Sequence, residues 1–280
     1  MPDSSEIRVS STGITRLPVQ KIADDTLLQT NDPVAIEEPL EIRIQYGPGG
    51  RRQEKSLSVT MRTPGNDEEL AIGWLYTEGI VTQNSLKITT ITTENTITLL
   101  LPEGCLPDLT RSQRHSYTSS SCGVCGKTSL DSLQAHIPKS SENTDFSIPA
   151  ALLYTLPDLL RKGQDIFDAT GGLHAAGLFT PQGRLLALRE DIGRHNALDK
   201  LIGYTLQQGL PPAETILLLS GRACFELIQK AAMAGIRIVA AVGPPSSLAV
   251  RHAEATGITL VGFLRQHRFN IYSGAHRIRI

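Results

Sequence analysis

The sequence predicts an α/β protein in which a smaller N-terminal α+β domain precedes a larger C-terminal α/β domain. Two observations predict the larger domain, which we place over residues 131–280. Strand-like and helix-like segments alternate there, as in a largely parallel sheet covered by helices. The segments TILLLS and RIVAAV are also continuously apolar, which is typical of strands buried on both faces. The smaller domain is expected over residues 39–117.

Residues 1–38 are expected to be an irregular acidic segment. Six acidic residues and no lysine or arginine lie between Asp24 and Glu41. Such a composition is typical of a solvated surface or a mobile terminus.

Alternating and helical patterns define the smaller domain. LEIRIQY, the turn sequence GPGG and KSLSVTM predict a β-hairpin. Asn66 is a suitable N-cap, and the three acids that follow it favour a helix that ends near Gly79. Two further strands are expected over residues 86–92 and 96–101.

Residues 102–129 show no periodicity, and an irregular stretch of that length is usually functional or disordered. A mobile loop over residues 118–130 holds Cys122 and Cys125, three positions apart, so both thiols can act on one small group. If the pKa of a thiol falls from about 8.5 to about 7, about half of the thiol is nucleophilic thiolate at neutral pH. Three alternatives stay open: a structural zinc site completed by Cys105, Cys224, a histidine or a second copy; a thioredoxin-like dithiol; and a purely structural pair.

The larger domain is expected to contain four helices and five strands. The helices are predicted over residues 148–162, 196–208, 223–234 and 247–256. The strands are predicted over residues 172–180, 184–189, 215–220, 236–242 and 258–264.

Composition excludes several classes of protein. Lys and Arg total 27 and Asp and Glu total 28, so the net charge is −1 and nucleic-acid binding is not expected. Apolar runs are far shorter than the roughly 20 residues that span a bilayer, and the N-terminus shows no secretory signal, so no membrane insertion is expected. Four cysteines are too few for a disulfide scaffold, which agrees with a reducing, cytoplasmic location.

Five ordered blocks resemble the formate dehydrogenase accessory sulfurtransferases, the FdhD/NarQ family. The resemblance runs from about residue 37 to residue 273. The blocks are NDEELAIGWLYTEGI, TSSSCGVCGKTSLD, FDATGGLHAAGLF, REDIGRHNALDKLIG and LSGRACFELIQKAAMAGI.

The resemblance implies a sulfur carrier that takes sulfur as a persulfide from a cysteine desulfurase. It would pass the sulfur to the molybdenum bis-guanine-dinucleotide cofactor, which formate dehydrogenase needs for activity. By motif matching, Cys122 would carry the persulfide and Cys125 would assist, and a homodimer is expected. The alternatives are a non-catalytic zinc- or cofactor-binding chaperone for formate dehydrogenase and a dithiol oxidoreductase.

The resemblance also implies that the larger domain, as a three-layer α/β/α unit, has the cytidine deaminase fold. A zinc deaminase needs a His-x-Glu sequence on one helix and Pro-Cys-x-x-Cys on a later one. Here Ala175 and Ala176 follow His174, and no downstream cysteine pair is present. Deaminase chemistry is therefore not expected, and no metal ligand set is assigned.

Three segments beside predicted strands are candidates for cofactor binding. Small residues next to a histidine can receive a base or phosphate, with a tight turn as the alternative. Charges at a strand end can contact guanine or phosphate, with helix capping and ion pairing as the alternative. A helix N-terminus offers an anion site, and Cys224 within it is expected to be a small buried residue. The candidates are Thr170, Gly171, Gly172, His174, Asp191, Arg194, His195, Ser220 and Arg222.

The C-terminal segment is basic, since no Asp or Glu follows Glu254. Guanidinium groups there suit the phosphates of a dinucleotide. A solvated basic tail is the alternative. In the family this stretch matches the cofactor-binding segment, which comprises Phe263, Leu264, Arg265, Gln266, His267 and Arg268.

Overall fold

The computed structural model describes residues 13–82, 88–109 and 146–280. Within these ranges the chain forms four sheets and seven α-helices. The first six strands are β1 (Ile14–Ala23), β2 (Thr26–Ala35), β3 (Glu38–Tyr46), β4 (Gln53–Arg62), β5 (Thr89–Thr92) and β6 (Thr96–Leu100). The others are β7 (Ile148–Pro149), β8 (His174–Phe179), β9 (Leu185–Asp191), β10 (Ile216–Leu219), β11 (Ile238–Ala241), β12 (Thr259–Arg265), β13 (Arg268–Ser273) and β14 (Ile278–Arg279). The helices are α1 (Asp67–Thr77), α2 (Ala150–Leu153), α3 (Leu156–Lys162), α4 (Asp165–Thr170), α5 (Arg194–Gln208), α6 (Phe225–Met233) and α7 (Ser247–Thr256).

An antiparallel hairpin precedes the first mixed sheet, so the prediction of an irregular segment over residues 1–38 is wrong for residues 14–35. Strands β1 and β2 pair along their whole length, from Ile14 opposite Ala35 to Ala23 opposite Thr26. Asp24 and Asp25 form the turn, both with positive φ, at 46° and 59°. Two consecutive positive φ angles match the twist of a two-residue hairpin turn. The exposed side chains of Asp24 and Asp25 therefore belong to a defined turn.

The four-stranded sheet has the order β4-β3-β6-β5. The central strands β3 and β6 are parallel, and each edge strand, β4 or β5, is antiparallel to its neighbour. Helix α1 lies on this sheet, and Leu70 and Leu75 join Ile42 and Ile97 in a fully buried core. The predicted hairpin and helix are confirmed. Asn66, however, has a left-handed backbone, and its side chain makes no capping hydrogen bond, so its predicted role as N-cap acceptor is wrong.

Helix α1 also crosses α5 at very short range. A Cβ atom built at Gly73 would overlap the carbonyl of Asp199, and one built at Gly203 would overlap the carbonyl of Glu69. The two helices therefore touch backbone to backbone, which only glycine at both positions permits. This crossing joins the four-stranded sheet to the rest of the molecule.

The six-stranded sheet has the order β13-β12-β11-β10-β8-β9. Strands β10, β11 and β12 run parallel, while β8, β9 and β13 each pair antiparallel with their neighbours. The prediction of a largely parallel sheet is therefore confirmed only for β10, β11 and β12, because the other three strand pairs are antiparallel. The physical reason is connection length, since short turns join β8 to β9 and β12 to β13, and a parallel pair needs a long crossover.

Helices lie on both faces of the six-stranded sheet. Leu217 and Leu219 of β10 face the core that α5, α6 and α7 complete, while Ile216 and Leu218 face α2 and α3. The helix predicted over residues 148–162 is divided into β7, α2 and α3. Pro157 lies in the first turn of α3, where its missing amide and its ring prevent a continuous helix.

The carboxyl ends of β10, β11 and β12 meet at one edge of this sheet, which we call the carboxyl edge. Because β8 runs antiparallel to β10, its first residue, His174, lies at the same edge. Asp191, the last residue of β9, pairs with His174. Loops at such an edge commonly bind ligands. None of the helices in the described ranges is long and apolar enough to cross a membrane.

Candidate functional site

Cys122 and Cys125 lie outside the described residues, as does the loop predicted over residues 118–130. Their position and their role therefore stay predictions. The described part of the chain instead defines the carboxyl edge, where most of the predicted ligand-binding residues lie.

Backbone hydrogen bonds join three loops at the carboxyl edge. The amide of Gly243, after β11, donates to the carbonyl of Gly221, after β10, at 3.0 Å. The amide of Phe263 donates to the carbonyl of Gly243 at 3.1 Å. The segment that starts at Phe263 and the one around Arg222 are therefore parts of one continuous surface.

The surroundings of His174 at this edge favour its neutral ring. Burial lowers its pKa, and the nearby positive charges of Arg194, His195 and Arg222 lower it further. A Cβ atom at Gly221 would lie 3.2 Å from Nδ1 of His174, so glycine leaves room for the ring. The Ser220 hydroxyl oxygen accepts a hydrogen bond from the amide of Ala175 at 2.8 Å. The sequence therefore identified residues that do lie together.

Four arginines at or beyond the carboxyl edge have no ion pair with any described carboxylate: Arg194, Arg222, Arg265 and Arg268. The side chain of Arg194 is partly buried, and its Nε has no hydrogen-bond partner in the described ranges. The other three are exposed. Guanidinium groups that are not neutralised internally remain available to phosphate groups.

The segment from residue 263 to residue 268 forms the end of β12, a tight turn and the start of β13. Phe263 and His267 have positive φ, at 53° and 61°. The exposed residues of this turn include Gln266 as well as the arginines. Leu264 is fully buried in the sheet core, so its predicted contact with a cofactor is wrong.

The glycines after α4 do not offer free amides. The amide of Gly171 donates to the carbonyl of Phe167 at 2.7 Å, and the amide of Gly172 donates to the Thr170 hydroxyl at 3.3 Å. The Thr170 hydroxyl itself donates to the carbonyl of Ile166 at 2.7 Å. This geometry is that of a helix end before a buried strand, so the expectation of free amides is wrong, and a base or phosphate site at this segment stays a prediction.

Asp191 is fully buried and its carboxylate is already occupied. Lys200 lies 2.7 Å away, and the amides of Gly193 and Thr63 donate to it at 2.8 and 3.2 Å. Burial raises the pKa of Asp191, while Lys200 opposes that rise. The carboxylate is thus engaged within the fold by residues on both sides of the α1–α5 crossing, and the predicted hydrogen bond from Asp191 to guanine stays a prediction.

Three side chains converge where α5 and α6 begin. Nε2 of His195 lies 3.2 Å from Sγ of Cys224 and 3.1 Å from the Oε2 atom of Glu226. The thiol donates to the same carboxylate oxygen at 3.3 Å. The prediction that Cys224 is merely a small buried residue is therefore wrong. Sequence reasoning missed Glu226, and the signal was a Cys-x-Glu sequence at a helix start, one short loop after a buried strand.

The contacts within this cluster favour the charged forms of both Cys224 and His195. Burial alone would raise the pKa of the Cys224 thiol, but the hydrogen bond and charge of His195 and an amide contact from Leu227 lower it. Burial alone would lower the pKa of His195, yet its contacts with Cys224 and Glu226 raise it to about 9. The directions of both pKa shifts favour proton transfer from the thiol to the imidazole, and a thiolate beside an imidazolium at a helix start is typical of reactive cysteines.

Comparisons with known proteins agree over nearly the whole chain. The model of the FdhD/NarQ family matches residues 35–279. The sulfur carrier protein FdhD of Streptomyces avermitilis is 47% identical over 278 residues, which are 95% of each chain. The protein of the same name from Nocardia farcinica is 50% identical over 260 residues, which are 90% of each chain.

A solved structure shares the fold. It is that of a protein from Desulfotalea psychrophila that was assigned as a formate dehydrogenase accessory protein. The TM-score is 0.72 at 23% sequence identity, with 95% of this chain and 99% of that chain covered. The likeness shows that the arrangement of sheets and helices described above exists in an experimentally determined structure.

Proposed function

Because this chain belongs to the FdhD/NarQ family, we propose that it accepts sulfur as a persulfide and delivers it to a molybdenum cofactor. The observation that carries the proposal is the 47% identity, over 95% of the chain, to a protein named as a sulfur carrier. The donor would be a cysteine desulfurase in the cytoplasm. The recipient would be the molybdenum bis-guanine-dinucleotide cofactor that serves formate dehydrogenase.

Loading would be a thiol–persulfide exchange at Cys122. Its thiolate attacks the terminal sulfur of the desulfurase persulfide, the donor's S–S bond breaks, and the donor cysteine leaves as a thiolate. Cys125 would then attack the inner sulfur of the Cys122 persulfide and expel hydrosulfide at the recipient. This second exchange leaves a disulfide, which a thioredoxin-type dithiol reduces, so the protein acts as a sulfurtransferase.

The recipient is a substrate that carries two nucleotides and therefore several phosphates. Arg194, Arg222, Arg265 and Arg268 support binding of such a molecule, because no described carboxylate neutralises them. The lowered pKa of His174 favours the neutral imidazole, which can donate or accept a hydrogen bond beside them. Guanine nucleotides are expected to bind in the same place.

We further propose that the six-stranded sheet and its helices are the cytidine deaminase fold, used without deamination, and that the protein is a homodimer. The alternative function is a chaperone that holds zinc or the cofactor for formate dehydrogenase without transferring sulfur. The same arginines favour this alternative, since cofactor binding alone would need them.

Intact mass after loading tests the proposal. The protein is incubated with a cysteine desulfurase and cysteine, and we expect a reducible gain of one sulfur atom per chain. A Cys122→Ala variant should not gain it. A Cys105→Ala variant is the matched control and should load fully, since Cys105 lies beside the four-stranded sheet. No sulfur on Cys122 in the native protein would rule out the transfer role and leave the chaperone.

A further inference from the structure

We propose that His195, Cys224 and Glu226 form a binding site for a zinc-type divalent metal ion, with one coordination position open to water or a thiolate. The site is separate from the cysteine pair in the sequence. It goes beyond the sulfur-carrier role and does not depend on it, because the three ligands all lie within the described fold.

The three donor atoms form a nearly equilateral triangle with edges of 3.1, 3.2 and 3.3 Å. The in-plane point equidistant from them lies about 1.85 Å from each atom. Zinc bonds to nitrogen, oxygen and sulfur are about 2.0–2.3 Å long. An ion about 1 Å above this plane would therefore reach all three atoms at bonding distance, with only small shifts of the side chains. That is the shape of a tetrahedral site with its fourth corner open.

The geometry is not that of a nucleophile activated by a histidine. In such a triad the nucleophile and the carboxylate contact opposite nitrogens of the imidazole, so that the carboxylate orients the ring. Here Cys224 and Glu226 both contact Nε2 of His195. Nδ1 has no hydrogen-bond partner in the described part of the chain. Convergence of three donors on one point is what a metal requires.

The donor set and its charge suit zinc. An imidazole nitrogen, a thiolate sulfur and a carboxylate oxygen are all common zinc ligands, and three protein ligands with an open position are typical of catalytic zinc. One thiolate and one carboxylate neutralise a divalent ion, so the occupied site adds no net charge beside Arg194. Binding displaces the proton from the thiol and needs the neutral imidazole.

The fold holds the three ligands in place before any ion binds. His195 is in the first turn of α5, and Cys224 immediately precedes α6, which contains Glu226. The ring of Phe225, between the two α6 ligands, packs against the ring of His252 with centroids 4.8 Å apart. His195 and Glu226 are only 8% and 7% exposed, whereas Cys224 is partly exposed and leaves a route from the carboxyl edge.

Metal content in a variant without the cysteine pair tests the inference. Full-length protein carrying Cys122→Ser and Cys125→Ser is purified, stripped with a chelator and titrated with Zn²⁺ and with Co²⁺. We expect one ion per chain. Cobalt should show the charge-transfer absorption of a thiolate ligand and the visible absorption of tetrahedral coordination. Mutating a residue that only hydrogen-bonds to a metal ligand typically lowers metal affinity 10–100-fold. Removing a ligand itself should therefore lower the affinity by about 100-fold or more.

In this background Cys224→Ser should remove the thiolate absorption, and Glu226→Gln and His195→Gln should weaken affinity while circular dichroism stays native. Cys105→Ser and His276→Ala are the matched controls and should bind normally, since neither residue belongs to the cluster. The inference would be overturned if the natively folded background variant bound neither ion. It would also be overturned if adding Cys224→Ser changed neither the affinity nor the cobalt absorption. Sulfur loading on Cys122 is measured separately, so either proposal can fail alone.

Discussion

Arginines in the described ranges divide into those that pair with a described carboxylate and those that do not. Arg189 contacts both carboxylate oxygens of Glu69, and Arg62 is buried beside Asp67. Arg265 and Arg268 make no such pairs with described residues. The first group stabilises the fold, and the second is available to a ligand. The sequence showed the basic residues near the C-terminus but not this difference.

A double substitution tests the second group. Arg265→Ala with Arg268→Ala should weaken guanosine diphosphate binding by about 10-fold, or about 1.4 kcal/mol, at low salt. The difference should shrink as salt rises, because the lost contacts are electrostatic. Titration calorimetry at two salt concentrations measures both effects. Arg279→Ala removes another exposed arginine and is the control; equal affinity for the double variant and the native protein would remove this segment from the binding site.

Lys230 lies at the centre of a buried cluster of charged and hydrogen-bonded side chains. Its ammonium lies 2.9 Å from a carboxylate oxygen of Asp199 and donates to the Thr77 hydroxyl at 2.9 Å. Lys230→Met should lower the free energy of unfolding by about 3–5 kcal/mol, because it leaves the Asp199 carboxylate buried and unpaired. Urea unfolding measures the change.

The partner substitution separates pairing from packing. Adding Asp199→Asn to Lys230→Met removes the unpaired charge, so the double variant should be more stable than Lys230→Met alone. If the two substitutions are simply additive, the ion pair does not contribute in the way proposed.

Helices α1 and α5 depend on glycine where they cross. Gly73→Ala should lower the free energy of unfolding by about 1–3 kcal/mol or more, because the new methyl group forces the helices apart. Thermal unfolding measures the shift. Gly49→Ala is the matched control, since a Cβ atom there meets only a flexible glutamate end at 3.6 Å and the backbone needs no positive φ. An unchanged melting temperature for Gly73→Ala would contradict the close crossing.

Secondary structure was predictable where periodicity was strong. The alternation over residues 215–264 gave β10, α6, β11, α7 and β12 in the right order. The first hairpin was missed because its turn uses Asp24 and Asp25 in place of the usual glycine, and its acids indicate only exposure. Strand β13 was not predicted, and its antiparallel pairing with β12 keeps the sheet from being largely parallel. Strand direction depends on connection length and not on the strand sequences.

Site residues were predictable by chemical type but not by role. The REDIGRHN segment contains charges that suit a ligand, yet Asp191 binds the amide of Thr63, which is 128 positions away in the sequence. Glu190 accepts hydrogen bonds from the amides of Ile166 and Phe167 at the start of α4. A single sequence cannot show such partners, because they are fixed only when distant elements pack. The same limit hid the contact between His195 and Cys224.

At the scale of the whole molecule, contacts between distant elements support the carboxyl edge. The Tyr76 hydroxyl in α1 donates to the carbonyl of Met233 at the end of α6 at 3.0 Å. Lys200 in α5 donates to the carbonyl of Thr63 at 2.8 Å. The four-stranded sheet is thereby fixed to the helices whose first turns carry His195 and Glu226. These contacts hold the carboxyl edge against the rest of the described fold.

Radiolabelled cysteine tests whether sulfur passes through this protein to the molybdenum cofactor, as we propose. The protein is loaded by a cysteine desulfurase, separated from it, and mixed with formate dehydrogenase that holds the cofactor without its terminal sulfur. We expect the label to leave the protein and appear on the cofactor as formate oxidation rises, and we expect Cys122→Ala to transfer none. Label that stays on the native protein, or that reaches the cofactor equally with Cys122→Ala, would contradict the claim.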